Sequence, residues 1–221
     1  MPGRRLIARS RSVCGVRLIL ASQSPARLET LRRAGVEPEV IVSGVDEEAV
    51  PAQPAAALAL DLAHRKVTAV AARTPQSEGP EILLGCDSVL ELDGQTYGKP
   101  ADPDEAVRRW LTMSGRSGVL HTGHHVIRRD GAGTAEVGRT GSTTVHFAAV
   151  TRAEIEAYVA TGEPLVVAGA FTIDGLGGAF VTGIEGDHHN VVGLSLPLLR
   201  TLLGELDVAW PALWSASSLP S

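Results

Sequence analysis

The run Leu18-Ile19-Leu20-Ala21-Ser22-Gln23-Ser24-Pro25-Ala26-Arg27-Leu28 leaves this chain little conformational choice. It reads as a buried strand feeding straight into a helix N-terminus. Leu18 to Ala21 is a short apolar run. Ser24 suits the N-cap, because its hydroxyl can accept from free N–H groups of the first turn. Pro25 suits the first helical position, where its missing N–H would have found no partner. Leu28 and Leu31 give the helix an apolar side, and Gly35 ends it. A strand, a hydroxyl-rich turn and a helix N-terminus together make an anion site. Arg27 is the odd residue in that first turn. A cation at the positive end of a helix dipole is unfavourable unless an anion sits nearby, so Arg27 points to a phosphate, with Ser22 and Ser24 as hydroxyl partners.

Along the rest of the chain, residues 1–15 read as a disordered Arg-rich leader, residues 16–207 as the folded body and residues 208–221 as a C-terminal tail. Glu39 to Val42 looks like a second short strand, followed by the acidic loop Val45-Asp46-Glu47-Glu48. Alanine and leucine between Pro54 and Ala72 favour a helix, with Leu58, Leu62 and Lys66 along one side. Ile82 to Leu92 reads as a strand, turning at Asp93-Gly94 into Gln95-Thr96-Tyr97. Asp102, with Glu105 three residues later, predicts a capped helix ending before Gly115. Val119–Arg129 and Thr134–Phe147 form a long antiparallel pair. Thr151 and Glu154 make a capping box for a short helix with Ile155, Tyr158 and Val159 inward, and Ser195 to Leu203 is a last amphipathic helix. Alternating strands and helices with hairpins interspersed predict an α/β protein with a mixed sheet.

With 44% hydrophobic and 20% charged residues, 221 residues suffice for a sizeable core. Aromatic residues make up only 4%, too few for a surface that stacks single-stranded bases. A net charge of −5 likewise excludes broad polyanion binding. Arg4, Arg5, Arg9, Arg11 and Arg17 gather at one end, leaving an acidic body. Such a body must concentrate its few cations wherever it holds a phosphate. No run approaches the roughly 18 apolar residues of a membrane span. Cys14 and Cys86 read as a free thiol and a small core residue, which fits a reducing cytoplasm.

Asp87 is the leading catalytic candidate. It follows Ile82-Leu83-Leu84-Gly85-Cys86, where a carboxylate is costly unless paired or metal-bound. Lys66 and Lys99 are the only lysines. His121-x-x-His124-His125 invites a zinc reading. Strand alternation puts His121 and His125 on one face and His124 on the other, and no neighbouring carboxylate or thiol completes a site, so these histidines are expected to be structural. His188-His189, beside Asp187, reads as a polar loop. Gly175-Leu176-Gly177-Gly178 lacks the strand–helix context of a dinucleotide fingerprint.

Ala21-Ser22-Gln23-Ser24-Pro25-Ala26-Arg27 resembles the signature Ala-Ser-x-Ser-Pro-Arg-Arg of the Maf family, whose members are nucleoside triphosphate pyrophosphatases. The resemblance continues in order through Gly85-Cys86-Asp87-Ser88, Gly98-Lys99-Pro100, Met113-Ser114-Gly115, Thr122-Gly123, Ala168-Gly169-Ala170-Phe171, Gly175-Leu176-Gly177-Gly178 and Asn190-Val191-Val192-Gly193-Leu194-Ser195-Leu196-Pro197. It implies a Maf/ITPase-like fold, a long curved mixed sheet flanked by helices with a central cleft, in a homodimer. It implies Asp87 as the base that activates water against the α-phosphorus, giving a monophosphate and pyrophosphate. It also implies Lys66 and Lys99 as triphosphate ligands and Glu47 as a metal ligand beside Asp87. A highly charged triphosphate calls for a divalent cation, Mg²⁺ or Mn²⁺.

The chain departs from the family pattern at the base-selecting positions. Ala26 replaces the first arginine of the signature, and Ser88 and Asp174 stand where the dTTP/UTP-specific subfamily usually has Thr and Gln. Asp174 accepts hydrogen bonds and donates none. It therefore favours a base presenting donors, and strict dTTP/UTP selectivity is not expected. A second reading, a nucleotide-binding regulator of cell division without significant turnover, draws on Ala26. The retained Asp87, Lys66 and Lys99 favour the enzyme.

Overall fold

The computed structural model describes residues 15–47 and 53–215. The leader up to Cys14, Glu48 of the acidic loop and the last six residues of the expected tail lie outside them. One seven-stranded sheet organises the chain, with strand order β2-β1-β3-β5-β6-β7 and β4 paired to β3. β1 (Arg17–Leu20) runs parallel to β2 (Glu39–Val40) and to β3 (Glu81–Leu92). β4 (Gln95–Tyr97), β5 (Ser117–Asp130), β6 (Gly133–Phe147) and β7 (Val181–Glu185) add antiparallel pairings. The sheet is mixed, as the pattern of elements predicts.

Local chemistry sets most boundaries. Helix α1 (Pro25–Arg33) starts at Ser24, whose Oγ accepts from the Arg27 N–H at 3.4 Å, and Gly35 follows it at φ 80°. Asp93 (φ 51°) and Gly94 (φ 73°) are both left-handed, the requirement of a tight hairpin turn. Helix α4 (Arg152–Ala160) carries the full Thr151–Glu154 capping box. Helix α3 (Pro103–Met113) differs slightly: Asp102 accepts from Glu105 N–H at 2.7 Å, but the Glu105 carboxylate accepts from Ala101 N–H, one residue before the cap.

Alternation along β3 divides the core. Ile82, Leu84 and Cys86 face Leu31 of α1 and Leu199, Leu202 and Leu203 of α6 (Leu196–Glu205). Farther along the same face, Leu90 and Leu92 meet Trp110, Met113, Ile155 and Tyr158 of α3 and α4. The Trp110 indole donates to the Ala170 carbonyl at 2.7 Å, which satisfies its one polar atom. The opposite face belongs to α2 (Ala55–Arg73), whose Val67 and Val70 cover Leu83.

Helix α2 lies unusually close to the sheet, and glycine permits it. A Cβ on Gly85 would fall 2.2 Å from the Ala63 carbonyl oxygen, and one on Gly123 would fall 2.2 Å from that of Ala59.

Two expectations change. The stretch after residue 207 is no loose tail as far as residue 215. Val208 and Leu213 are buried in the α1–α6 core, and the Ser215 N–H donates to the Gly35 carbonyl at 2.9 Å. His188 and His189 open a short helix, α5 (His188–Val192), rather than a loop, because Asp187 caps it by accepting from His189 N–H.

Candidate active site

The site follows from an interruption in the sheet. β1 covers one edge of β3 from Glu81 to Leu84, and β4 covers it from Leu90 to Leu92. Among the described residues, no strand pairs with that edge between Gly85 and Val89. Asp87 sits in the middle of the gap. The β1–α1 turn ends on one side of it and the Gly98-Lys99-Pro100 turn after β4 lies on the other.

On the α2 face, Asp87 is 6% exposed, and its carboxylate accepts a hydrogen bond from the Lys66 ammonium. The same ammonium lies 2.6 Å from Glu47 Oε1, so one lysine bridges two carboxylates. Burial pushes the Asp87 carboxyl above its ordinary value, against the pull of Lys66 and Arg27. Burial also acts upward on Glu47, but the Lys66 hydrogen bond and the charges of Lys66, Lys99 and Arg27 outweigh it and hold Glu47 low. Lys99 itself is exposed, near enough to Glu47 for its charge to act on that carboxylate.

Arg27 approaches from the β1–α1 turn and is 8% exposed. Its Nη1 donates to Ser22 Oγ (3.2 Å), its Nη2 to Ser88 Oγ (3.1 Å) and its Nε to the Gly193 carbonyl (2.7 Å). Ser22 Oγ also accepts from Ser24 N–H at 3.1 Å. Among the described residues, no carboxylate lies within ion-pair distance of Arg27. A buried guanidinium held only by neutral partners keeps its positive charge for an anion.

Sequence reasoning missed the far side of this arrangement. Gly193 adopts φ 114°, and its carbonyl fixes the Arg27 side chain. Ser88 Oγ shares a hydrogen bond with Thr122 Oγ1, which donates to the Asn190 carbonyl at 2.9 Å. Asn190 and Gly193 belong to the last matched motif, which was the available signal.

The base-selecting candidates are not brought together. Ser88 is held by Arg27, and Ala26 stands one residue from Arg27 on α1. Asp174 is exposed and lines a cavity of about 160 Å³ with Thr30 and Arg33 of α1 and His188 and His189 of α5.

The three β5 histidines diverge as expected. His121 Nδ1 pairs with Ser142 Oγ at 2.8 Å, and His124 is fully buried on the opposite face. A carboxylate does reach His125, however. Glu136 arrives from β6, at 3.3 Å from Nε2, a contact that cross-strand register creates and linear sequence hides.

Residues 17–206 match the family model described as Maf-like protein. A nucleoside triphosphate pyrophosphatase of Salinispora tropica is 59% identical over 201 residues, covering 90% of this chain and 88% of that protein. A protein of the same name from Streptomyces coelicolor is 58% identical over 199 residues, covering 90% and 95%. Among solved structures, a dITP/XTP pyrophosphatase from Mycobacterium abscessus is similar over 61% of this chain and 74% of that one, at 18% identity and a TM-score of 0.34.

Proposed function

This chain belongs to the Maf family and is a nucleoside triphosphate pyrophosphatase, and we propose that Asp87 is its general base. Its charge sits in the unpaired stretch of β3, flanked by Lys66, Lys99 and an arginine without a carboxylate partner. That single arrangement carries the assignment. Asp87 takes a proton from water as its oxygen attacks the α-phosphorus. The bond from that phosphorus to the α–β bridging oxygen breaks, and pyrophosphate leaves with the electron pair. Lys66, Lys99 and Arg27 neutralise phosphate oxygens, and Ser22 and Ser24 offer hydroxyls at the helix N-terminus.

The donor set fits a divalent cation. Glu47 and Asp87 are hard oxygen ligands already drawn onto one positive charge, and with phosphate oxygens they would hold Mg²⁺ or Mn²⁺. Such an ion supplies further neutralisation of the triphosphate. Asp174 and its cavity we assign to base selection, favouring bases that present donors over dTTP and UTP, with clearance of non-standard nucleotides as the role. Exposed Val166 and Leu176, on adjoining 3₁₀ turns, offer apolar surface for a homodimer. Among the described residues no helix is long and apolar enough to cross a membrane, and the free Cys86 thiol, buried and pushed up to about 12, suits a reducing cytoplasm.

Pyrophosphate release from a nucleotide panel, measured for wild type and Asp87→Asn, tests the base. Loss of roughly 10²-fold or more in kcat is expected. An Asp87→Asn enzyme with unimpaired kcat would sink the assignment, and a clear dTTP/UTP preference would remove the role given to Asp174. The relatives' shared name favours turnover over a purely regulatory binder.

A further inference from the structure

A second constellation stands on the other flank of α2. His64 of α2, His125 of β5 and Glu136 of β6 each place one ligand atom so that all three atoms lie within 4.8 Å of one another. The two imidazole centroids are 4.5 Å apart. His64 is two residues from Lys66, about 200° around the helix, so the two side chains leave α2 in opposite directions. One reaches the Asp87 cluster and the other the β5–β6 ladder.

The fold prepares this place. His125 faces Gly138 across the ladder, and Glu136 is its diagonal neighbour on the same face. A Cβ on Gly138 would come within 2.5 Å of His125 Nδ1, so glycine is what leaves room for the ring. Helix α2 and the β5–β6 hairpin, distant from it in sequence, thus converge two imidazoles and one carboxylate.

We propose that His64, His125 and Glu136 form a binding site for a borderline transition-metal cation of the Zn²⁺ class, separate from the catalytic gap. Tetrahedral zinc ligands about 2.0 Å from the ion stand roughly 3.3 Å apart, so exposed His64 and Glu136 need shift little to close around it. The fourth position is left to water. Two imidazoles and a carboxylate are the donors zinc prefers and magnesium does not, which distinguishes this site from the all-oxygen pair Glu47 and Asp87. Burial and the neighbouring His64 lower the His125 pKa, which favours the neutral ring that binds metal. Because the ligands come from α2, β5 and β6, the ion would pin to the sheet the helix that carries Lys66.

The experiment is a Zn²⁺ titration of the full chain by calorimetry, with thermal unfolding followed with and without Zn²⁺. Wild type and Asp87→Asn should each show one tight site and a raised midpoint. His64→Ala and Glu136→Gln alter exposed side chains and should unfold like wild type without metal. Each should weaken the site by at least the roughly 10–100-fold that loss of an outer-shell partner costs. The proposal is overturned if wild type binds no Zn²⁺, if both variants bind as wild type does, or if Asp87→Asn alone abolishes binding. In that last case the catalytic carboxylates are the ligands.

Discussion

Asp87 and His124 occupy neighbouring rungs of the β3–β5 ladder, with Cys86 opposite His124 and Asp87 opposite Gly123. Both are buried, and they face opposite sides of the sheet. The sheet handles them in opposite ways. His124 gives up its charge: Nε2 accepts from Ser195 N–H at 2.8 Å, so Nδ1 carries the proton and donates to the Thr122 carbonyl at 3.0 Å. Asp87 keeps its charge and is given Lys66, itself shared with Glu47. A buried group that can become neutral is cheaper to hold. Retaining the costly charged group beside an open strand edge is what the proposed role of Asp87 as general base requires.

The largest test of that contrast removes the partner. Lys66→Met should leave Asp87 buried without its nearest counter-charge, a change that typically costs about 3–5 kcal/mol. Urea unfolding at pH 8 measures it, and the loss should shrink as pH falls and Asp87 takes up a proton. Adding Asp87→Asn to Lys66→Met should recover part of the loss. A Lys66→Met protein as stable as wild type would mean that Asp87 is already neutral, and the contrast with His124 would vanish.

A smaller effect comes from lifting α2. Gly123→Ala sets a Cβ 2.2 Å from the Ala59 carbonyl oxygen and 2.6 Å from Leu60 Cα, backbone atoms that cannot rotate away. Overpacking of this kind costs about 1–3 kcal/mol. Since α2 carries Lys66, turnover should fall together with the urea midpoint, while the pH dependence conferred by His124 stays. Unchanged kcat in a destabilised Gly123→Ala protein would show that the closeness of α2 serves packing alone.

Short-range features of this fold were readable because they depend on a few adjacent residues: the Ser24 cap, the Asp93-Gly94 turn and the Thr151–Glu154 box. Asp87 and Arg27 could be nominated one by one, since a charge in an apolar strand or at the wrong end of a helix stands out, whereas Lys66 and Glu47 entered only through the resemblance to the Maf family. Their grouping could not be read this way. It depends on β1 stopping at Leu20, opposite Leu84, and β4 stopping at Tyr97, opposite Leu90, which opens the β3 edge between them. Adjacent Asp87 and Ser88 point to opposite faces, one to Lys66 and the other to Arg27. The packing of Leu213 and the meeting of His64, His125 and Glu136 likewise rest on contacts between distant segments.

The finest test titrates the neutral side of the comparison. Burial pushes the His124 imidazole down to about 4 from an ordinary 6.5. Between those two values the unfolded chain binds more protons than the folded one, so stability rises with pH across the window. The contribution is complete above pH 6.5 and is lost as pH falls toward 4. From pH 7 to pH 5 the loss from this one residue should be about 2 kcal/mol, at 1.36 kcal/mol per pH unit below the unfolded value. Asp87 acts in the opposite sense, because its raised folded pKa favours the folded state at low pH. Urea unfolding across that range must therefore be compared between wild type and His124→Asn, which cannot titrate. The difference between the two slopes isolates the imidazole, and an NMR titration of the His124 ring provides the same quantity without a variant. Parallel slopes, or a ring that protonates near 6.5, would mean that the imidazole accepts a charge in place. Asp87 and His124 would then differ in their partners and no longer in how the sheet treats a buried charge.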